Sequence, residues 1–158
     1  MARLDDARTR RASPGKKAHL FDDFLPHLIA RLAYQLNTDL IEKLKAEGIN
    51  VTRWRILAVL AMGDGITISQ IIDGAMMRQS ALSRALTNMV REGYVRRVVR
   101  RHDARCAEIY LTAKGRALFD SLNVVVRRRE KRLLAGFSPR EVSAAFTLMR
   151  RLSRNMRH

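Results

Sequence analysis

The sequence predicts a mainly α-helical fold of about six helices with one small β-hairpin. Apolar residues recur at steps of three and four along most of the chain, which is the period of amphipathic helices. One stretch, residues 95–111, changes to a step of two, which is the period of a strand. Hydrophobic residues make up 47 % of the 158 positions, so the chain is able to bury a core.

Composition limits the classes of protein to which the chain can belong. The 31 Lys and Arg residues exceed the 15 Asp and Glu residues, and the formal net charge of +16 favours polyanionic partners. No apolar run approaches the roughly 20 residues of a membrane span, and the first 20 residues lack the apolar stretch of a signal peptide. The single cysteine, Cys106, excludes an intramolecular disulfide and is typical of a reducing compartment. We therefore expect a soluble cytoplasmic protein.

The first part of the chain predicts an arm and two helices. The polar composition of residues 1–20 predicts a mobile basic arm. A long first helix starts near Asp22 and ends at Gly48, a residue suited to a left-handed C-cap. Thr52 is the predicted N-cap of the second helix, which Gly63 and Gly65 end. The apolar positions of the two helices are Leu25, Leu28, Ile29, Leu32, Leu36, Leu40 and Leu44, and then Trp54, Leu57, Ala58 and Ala61.

The middle of the chain predicts a short helix, a break, a helix and a hairpin. The short helix runs from Ser69 to about Ala75, and the break covers Gly74 to Met77. The next helix spans Ser80 to Glu92, and Gly93 ends it. Its predicted inward residues are Leu82, Leu86, Met89 and Val90. The two hairpin strands carry Val95, Val98 and Val99, and then Ile109 and Leu111, around the polar segment 100–105.

Two more helices follow the hairpin. Thr112 opens the fifth helix, with Leu118, Leu122, Val125, Val126 and Leu133 on one side. The last helix starts at Ser138-Pro139-Arg140-Glu141, which is a capping box with proline at the first helical position. Its apolar positions are Val142, Ala145, Phe146, Met149, Leu152 and Met156.

Helix, short helix, break, helix and basic hairpin follow one another in the order of a winged helix-turn-helix. We assign this DNA-binding domain to residues 49–111. The first, fifth and last helices carry more apolar surface than one small winged domain can cover. Residues 21–48 and 112–158 are therefore the predicted helical dimerisation region.

The distribution of charge points to duplex DNA. Residues 49–158 hold 22 basic and 8 acidic residues, and six arginines lie between residues 91 and 105. A helix about 10–12 Å wide fits the major groove, where Arg, Gln, Asn, Ser and Thr pair with base edges or phosphates. The predicted DNA-binding residues of the helix are Arg78, Gln79, Ser80, Ser83, Arg84, Thr87 and Asn88. Those of the hairpin are Arg96, Arg97, Arg100, Arg101, Asp103 and Arg105.

Three motifs in this region resemble those of the multiple-antibiotic-resistance regulator (MarR) family of bacterial transcription factors. They are the stretch from Ser80 to Arg97, the D-x-R of Asp103 to Arg105, and the L-T-x-x-G that starts at Leu111. The resemblance covers about residues 22–156. It implies that Arg105 enters the minor groove, that Asp103 orients the wing, and that Ser83 and Arg84 lie at the centre of the recognition helix. It also implies a nucleoid-associated homodimer on a pseudo-palindromic operator, with half-sites about one helical turn apart.

The resemblance further implies a repressor that a small anionic or aromatic effector releases from DNA. Candidate effector-binding residues are His27, Arg31, Tyr34 and Trp54. Trp54 also suits the core, and Arg31 also suits an ion pair with a neighbouring acidic residue. The stretch from Met76 to Arg84 is similar to that of relatives that respond to aromatic acids or their coenzyme A (CoA) thioesters, so this class of effector is favoured.

Three alternatives remain open from the sequence. The charge excess also fits a basic nucleoid- or RNA-associated structural protein that binds without sequence preference. Cys106 lies beside Arg105 and near Arg101, which suits a redox-responsive regulator. His102, Asp103 and Cys106 could converge on a metal, although a polar hairpin tip explains them more simply. No Gly-rich phosphate loop, C-x-x-C or H-E-x-x-H motif is present, so we predict no enzyme, cofactor or metal.

Overall fold

The computed structural model of the chain describes residues 24–100 and 103–156, so the predicted arm at residues 1–20 lies outside the described part. Within that part the predicted fold class is confirmed: six helices accompany one small antiparallel sheet. None of the described helices is long and apolar enough to cross a membrane. The elements in chain order are α1 (Leu25–Ala46), α2 (Val51–Leu60), β1 (Ile66–Thr67), α3 (Ile68–Ala75), α4 (Gln79–Arg91), β2 (Val95–Arg100), β3 (Asp103–Leu111), α5 (Ala113–Leu133) and α6 (Pro139–Asn155).

The chain divides into two compact units, residues 1–39 and 40–158. In the first unit the structure describes Phe24 and the N-terminal part of α1, whose Leu25, Ile29 and Leu32 are exposed. The second unit contains the core. Its buried side chains are Leu44, Ile49, Trp54, Ile56, Leu57, Leu60, Ile71, Ala75, Leu82, Leu86, Met89, Val95, Ile109 and Leu122.

Two helices end as predicted on a glycine with positive φ. At Gly48 (φ +72°) the Gly48 N–H donates to the Lys45 carbonyl at 3.0 Å, and the Ile49 N–H donates to the Leu44 carbonyl at 2.9 Å. Gly93 (φ +76°) repeats this arrangement at the end of α4. Both ends are Schellman motifs, which satisfy helix carbonyls and redirect the chain.

The N-cap of α2 differs from the prediction. Thr52 is wrong as the cap, because it lies in the first turn. Asn50 precedes the helix, and its side-chain oxygen accepts a hydrogen bond from the Arg53 N–H at 2.9 Å. The helix ends at Leu60, so Ala61 is its half-buried C-cap rather than part of the apolar side.

The predicted break after the short helix is confirmed, but it begins at Met76 rather than at Gly74. Helix α3 starts after Thr67, which forms a capping box with Gln70, and it continues through Gly74 to Ala75. The left-handed residue that ends it is Met76 (φ 50°). A Cβ on Gly74 would lie 3.0 Å from Val59 Cγ2, so this glycine allows α3 to pack closely against α2.

The predicted hairpin is confirmed, and the sheet has one strand more than the sequence predicted. Strand β1 pairs antiparallel with β3, so the order is β1-β3-β2. Strand β3 begins at Asp103, which places residues 103–105 in the strand rather than in a loop. An irregularity in the β2–β3 register lies between Val99 and Arg100. Two-residue strands such as Ile66–Thr67 carry no periodicity of their own, so the sequence does not predict β1.

Helices α5 and α6 begin at the predicted caps. The Thr112 hydroxyl accepts from the Gly115 N–H at 3.0 Å, and Ser138 with Glu141 forms the capping box of α6. Backbone and side-chain hydrogen bonds from Ser138 lower the pKa of Glu141. Leu122 is buried as predicted, whereas Leu133 is 43 % exposed. Within the described residues, α6 buries none of its side chains, so its predicted apolar side lies open in the single chain.

Candidate nucleic-acid interface

Helix α4 separates an apolar side from a polar side. Leu82, Leu86 and Met89 are buried in the core. All seven residues that the sequence proposed for DNA contact are exposed: Arg78, Gln79, Ser80, Ser83, Arg84, Thr87 and Asn88. Val90 does not face inward as predicted, since it is 43 % exposed where α4 passes β2.

Hydrogen bonds within α4 fix two of these polar side chains. The Thr87 hydroxyl donates to the Ser83 carbonyl at 3.0 Å, which leaves its oxygen to act as an acceptor. The Arg91 guanidinium donates to Asn88 Oδ1 at 3.1 Å. Arg91 therefore belongs to the polar side of the helix, although it was not among the predicted DNA-binding residues. Its spacing of three residues from Asn88 was the available signal.

The register of the hairpin places its two adjacent arginines on opposite faces. Arg97 pairs with the buried Ile109, and Arg96 pairs with Tyr110. Directly paired residues of antiparallel strands share a face, and successive residues alternate between faces. Arg97 is therefore on the face that packs toward α4, and Arg96 is on the other face.

A polar cluster occupies the face of Arg96. The Arg96 guanidinium carbon lies 4.2 Å from the centroid of the Tyr110 ring, which is a cation–π contact. The Tyr110 hydroxyl donates to Glu108 Oε2 at 2.9 Å, and this hydrogen bond raises the pKa of Tyr110. A Cβ on Gly65 would lie 2.8 Å from the Tyr110 hydroxyl, so the phenol packs over the bare glycine that precedes β1.

A hollow of about 300 Å³ lies between α4 and the sheet. Its polar lining consists of Gln79, Ser83, Thr87 and Arg97. Its apolar lining consists of Ile68, Leu82, Leu86, Val90 and Ile109. Among the described residues that line it, Arg97 is the one with a charge.

For the remaining predicted DNA-binding residues of the β2–β3 hairpin, which is the wing, the structure describes at most the backbone. Arg100 ends β2 and pairs with Asp103, and Arg105 and Cys106 lie in β3. The side chains of Arg100, Asp103, Arg105 and Cys106, together with the whole of Arg101 and His102, lie outside what the structure describes. Their proposed roles at the hairpin tip stay predictions.

Contacts at the end of α4 join it to the start of α5. The Thr112 hydroxyl donates to the Gly93 carbonyl at 2.7 Å, and the Thr112 N–H donates to the Tyr94 carbonyl at 3.1 Å. Lys114 Nζ donates to the Glu92 carbonyl at 2.9 Å and lies 4.5 Å from the centroid of the Tyr94 ring. Arg53 of α2 forms a salt bridge with Glu92. These contacts fix the C-terminal end of α4 relative to α2 and α5.

The proposed effector-binding residues fall in both units. His27, Arg31 and Tyr34 are exposed on α1, where their spacing places them on one helix face. Trp54 is 8 % exposed and stacks on Phe119 at 5.6 Å between ring centroids. Of the two roles predicted for Trp54, the structure therefore shows packing in the core. Within the described residues, no group of three His, Cys, Asp or Glu side chains could hold a metal ion.

Comparison with known proteins agrees with this architecture. A model of the MarR family matches residues 47–105. The crystal structure of a MarR family transcriptional regulator from Silicibacter pomeroyi is 32 % identical and superposes with a TM-score of 0.79, over 87 % of this chain and 94 % of that one. A second MarR family regulator, from Silicibacter pomeroyi DSS-3, is 31 % identical with a TM-score of 0.70, over 84 % and 97 % of the two chains. An HTH-type transcriptional repressor, IacR of Pseudomonas putida, is 24 % identical over 144 residues, which are 85 % of this chain and 86 % of that protein.

Proposed function

Because the chain belongs to the MarR family of transcriptional regulators, which are not enzymes, we propose that it represses transcription as a homodimer bound to one specific operator. A small effector releases it from that operator. The observation that carries the proposal is the exposed polar side of α4, with Arg97 of the wing on the face of the sheet that packs toward this helix.

The proposed division of contacts follows from side-chain chemistry. Gln79, Asn88 and Arg84 on the recognition helix α4 have the donors and acceptors that distinguish bases in the major groove. Arg78, Ser80, Ser83 and Thr87 supplement them at phosphates or base edges. At the hairpin tip, Arg105 enters the minor groove and Asp103 orients the wing, while Arg100 and Arg101 follow the DNA backbone.

Homodimerisation is supported by apolar side chains that are exposed to solvent in the single chain. Phe146, Leu148 and Met149 of α6 are 44–49 % exposed, and Leu25, Ile29 and Leu32 of α1 are 36–45 % exposed. Patches of this kind on a soluble domain mark interaction surfaces. We assign dimerisation to residues 21–48 and 112–158, and DNA binding to the winged domain at 49–111. A two-fold dimer places its recognition helices on half-sites about 34–36 Å apart.

The repressor role is supported by the name of the Pseudomonas putida relative, which is a transcriptional repressor. For this chain, we favour an aromatic carboxylic acid or its CoA thioester as the effector. Arg31, His27 and Tyr34 offer a cation, a hydrogen-bonding ring and an aromatic surface on one face of α1.

Selection from random duplexes, followed by fluorescence anisotropy, tests the operator proposal. The purified protein should prefer its selected site over unrelated duplexes by about 10³-fold or more at physiological salt. Arg84→Ala should reduce this ratio, because it removes a base-reading group. Arg140→Ala, an exposed arginine at the start of α6, is the matched control and should leave the ratio unchanged. Equal affinity and equal salt dependence on every duplex would instead support a structural, sequence-independent DNA-binding protein.

Calorimetry tests the effector proposal. Aromatic carboxylates and their CoA thioesters should bind more tightly than about 1 mM, which corresponds to roughly −4 kcal/mol, and Arg31→Ala should weaken that binding. The uncharged amides of the same acids are the control ligands. Failure of the whole panel to bind would exclude this class of effector.

A further inference from the structure

We propose that the two adjacent arginines of β2 have separate roles, in which Arg97 is a DNA-phosphate contact and Arg96 is a positioning residue that does not touch DNA. This inference rests on the proposed DNA-binding function. The sequence predicted that both arginines bind DNA, because composition alone does not distinguish them. The proposal removes Arg96 from the DNA-binding residues.

The hollow beside α4 suits one sugar–phosphate unit of the duplex. Arg97 supplies its charge, and the Ser83 hydroxyl adds a neutral hydrogen-bond donor. Val90, which is 43 % exposed, offers apolar contact to a deoxyribose. A guanidinium with neutral polar neighbours complements a phosphate monoanion, and such contacts fix the register of a protein on DNA. The phosphate would therefore bind where the recognition helix meets the wing.

Arg96 is engaged on the opposite face of the sheet. Its guanidinium covers the Tyr110 ring at 4.2 Å, and the Tyr110 hydroxyl is held by Glu108 and rests over Gly65. This stack connects β2, β3 and the segment before β1, on the side away from α4. Arg96 thus acts through Tyr110 to hold the direction of β2, and the direction of β2 places Arg97 in the hollow.

Salt titration of operator binding distinguishes the two roles. Each phosphate contact contributes about 0.9 to the slope of log association constant against log salt concentration. Arg97→Ala should lower the slope by about 0.9 for each bound protomer and weaken all duplexes alike. Arg96→Met should weaken operator binding but leave the slope unchanged. Arg96→Lys should restore most of the affinity, because an ammonium also stacks on an aromatic ring.

A double-mutant cycle tests whether Arg96 acts through Tyr110. Tyr110→Leu should weaken binding about as much as Arg96→Met, and the double variant should bind no worse than either single variant. The proposal is overturned if Arg96→Met lowers the slope as much as Arg97→Ala, or if the losses at Arg96 and Tyr110 add. Absence of preferential binding by the unmodified protein would refute the proposed function itself, which is a separate result.

Discussion

Gly115 shows how one residue determines where a helix can begin. A Cβ at this position would collide with the Tyr94 carbonyl oxygen and lie 3.2 Å from Leu111 Cδ2. The same carbonyl accepts hydrogen bonds from Thr112, the N-cap of α5. Only a bare backbone lets the first turn of α5 approach the end of the recognition helix this closely.

We therefore expect Gly115→Ala to destabilise the protein by about 3 kcal/mol, the upper range for an overpacked site. Urea denaturation at fixed protein concentration measures the free energy of unfolding. Gly63→Ala is the control: its Cβ would lie 3.4 Å from Ile66 Cδ1, an ordinary contact, and should change stability by less than about 0.5 kcal/mol. Equal losses in both variants would contradict the proposed close approach at Gly115.

At the residue scale, the sequence predicts which side chains are exposed better than it predicts their contacts. The polar side of α4 follows from helical spacing alone, because Leu82 and Leu86 fix the buried side. Strand register decides which of Arg96 and Arg97 faces α4, and the role of Tyr110 depends on Gly65, which lies 45 positions earlier in the chain.

At the scale of elements, some capping residues are predicted from the sequence and others, such as Thr67 of α3, are missed. Ser138 with Glu141 and Thr112 with its helix are confirmed, as are the glycines at the ends of α1 and α4. Asn50 was missed because Thr52, two residues later, is also a favourable cap. Only the backbone conformation distinguishes them, since Asn50 is extended (φ −87°, ψ 156°) and Thr52 is helical.

Asn50→Ala should destabilise the protein by about 1 kcal/mol, because it leaves the Arg53 N–H without its cap. Thr52→Ala, the matched substitution in the first turn, should change stability by less than about 0.5 kcal/mol. Urea unfolding of both variants provides the comparison. If Thr52→Ala is the more harmful of the two, Asn50 is not the functional cap.

At the scale of the whole molecule, the exposed apolar side of α6 has no explanation within one chain. The helix has a strong capping box and a clear apolar side, yet none of its described residues is buried. Phe146 and Met149 lie near one another by their spacing, and Arg150 approaches the Phe146 ring at 5.8 Å. A second copy of the chain is the occupant that we propose for this surface.

Phe146→Glu should therefore weaken self-association by roughly 30-fold or more, equivalent to about 2 kcal/mol, because it places a charge in an apolar contact. Sedimentation equilibrium measures this constant directly. Operator binding should weaken in parallel, since a monomer contacts only one half-site. Met62→Glu, at a position 87 % exposed outside the helices, is the control and should dimerise normally. A dimer unaffected by Phe146→Glu would place the interface elsewhere.

The sequence by itself determined the helices, the hairpin, the polar side of the recognition helix and the resemblance to a family. These features depend on local periodicity, on capping residues and on motifs, all of which lie within a few positions of one another. Only the tertiary structure decided the third strand, the role of Gly74, the burial of Trp54 against Phe119 and the choice of Arg97 rather than Arg96 as the arginine that faces α4. Each of these depends on two segments distant in the chain that meet in space, and neither segment carries a signal of that contact in its own sequence.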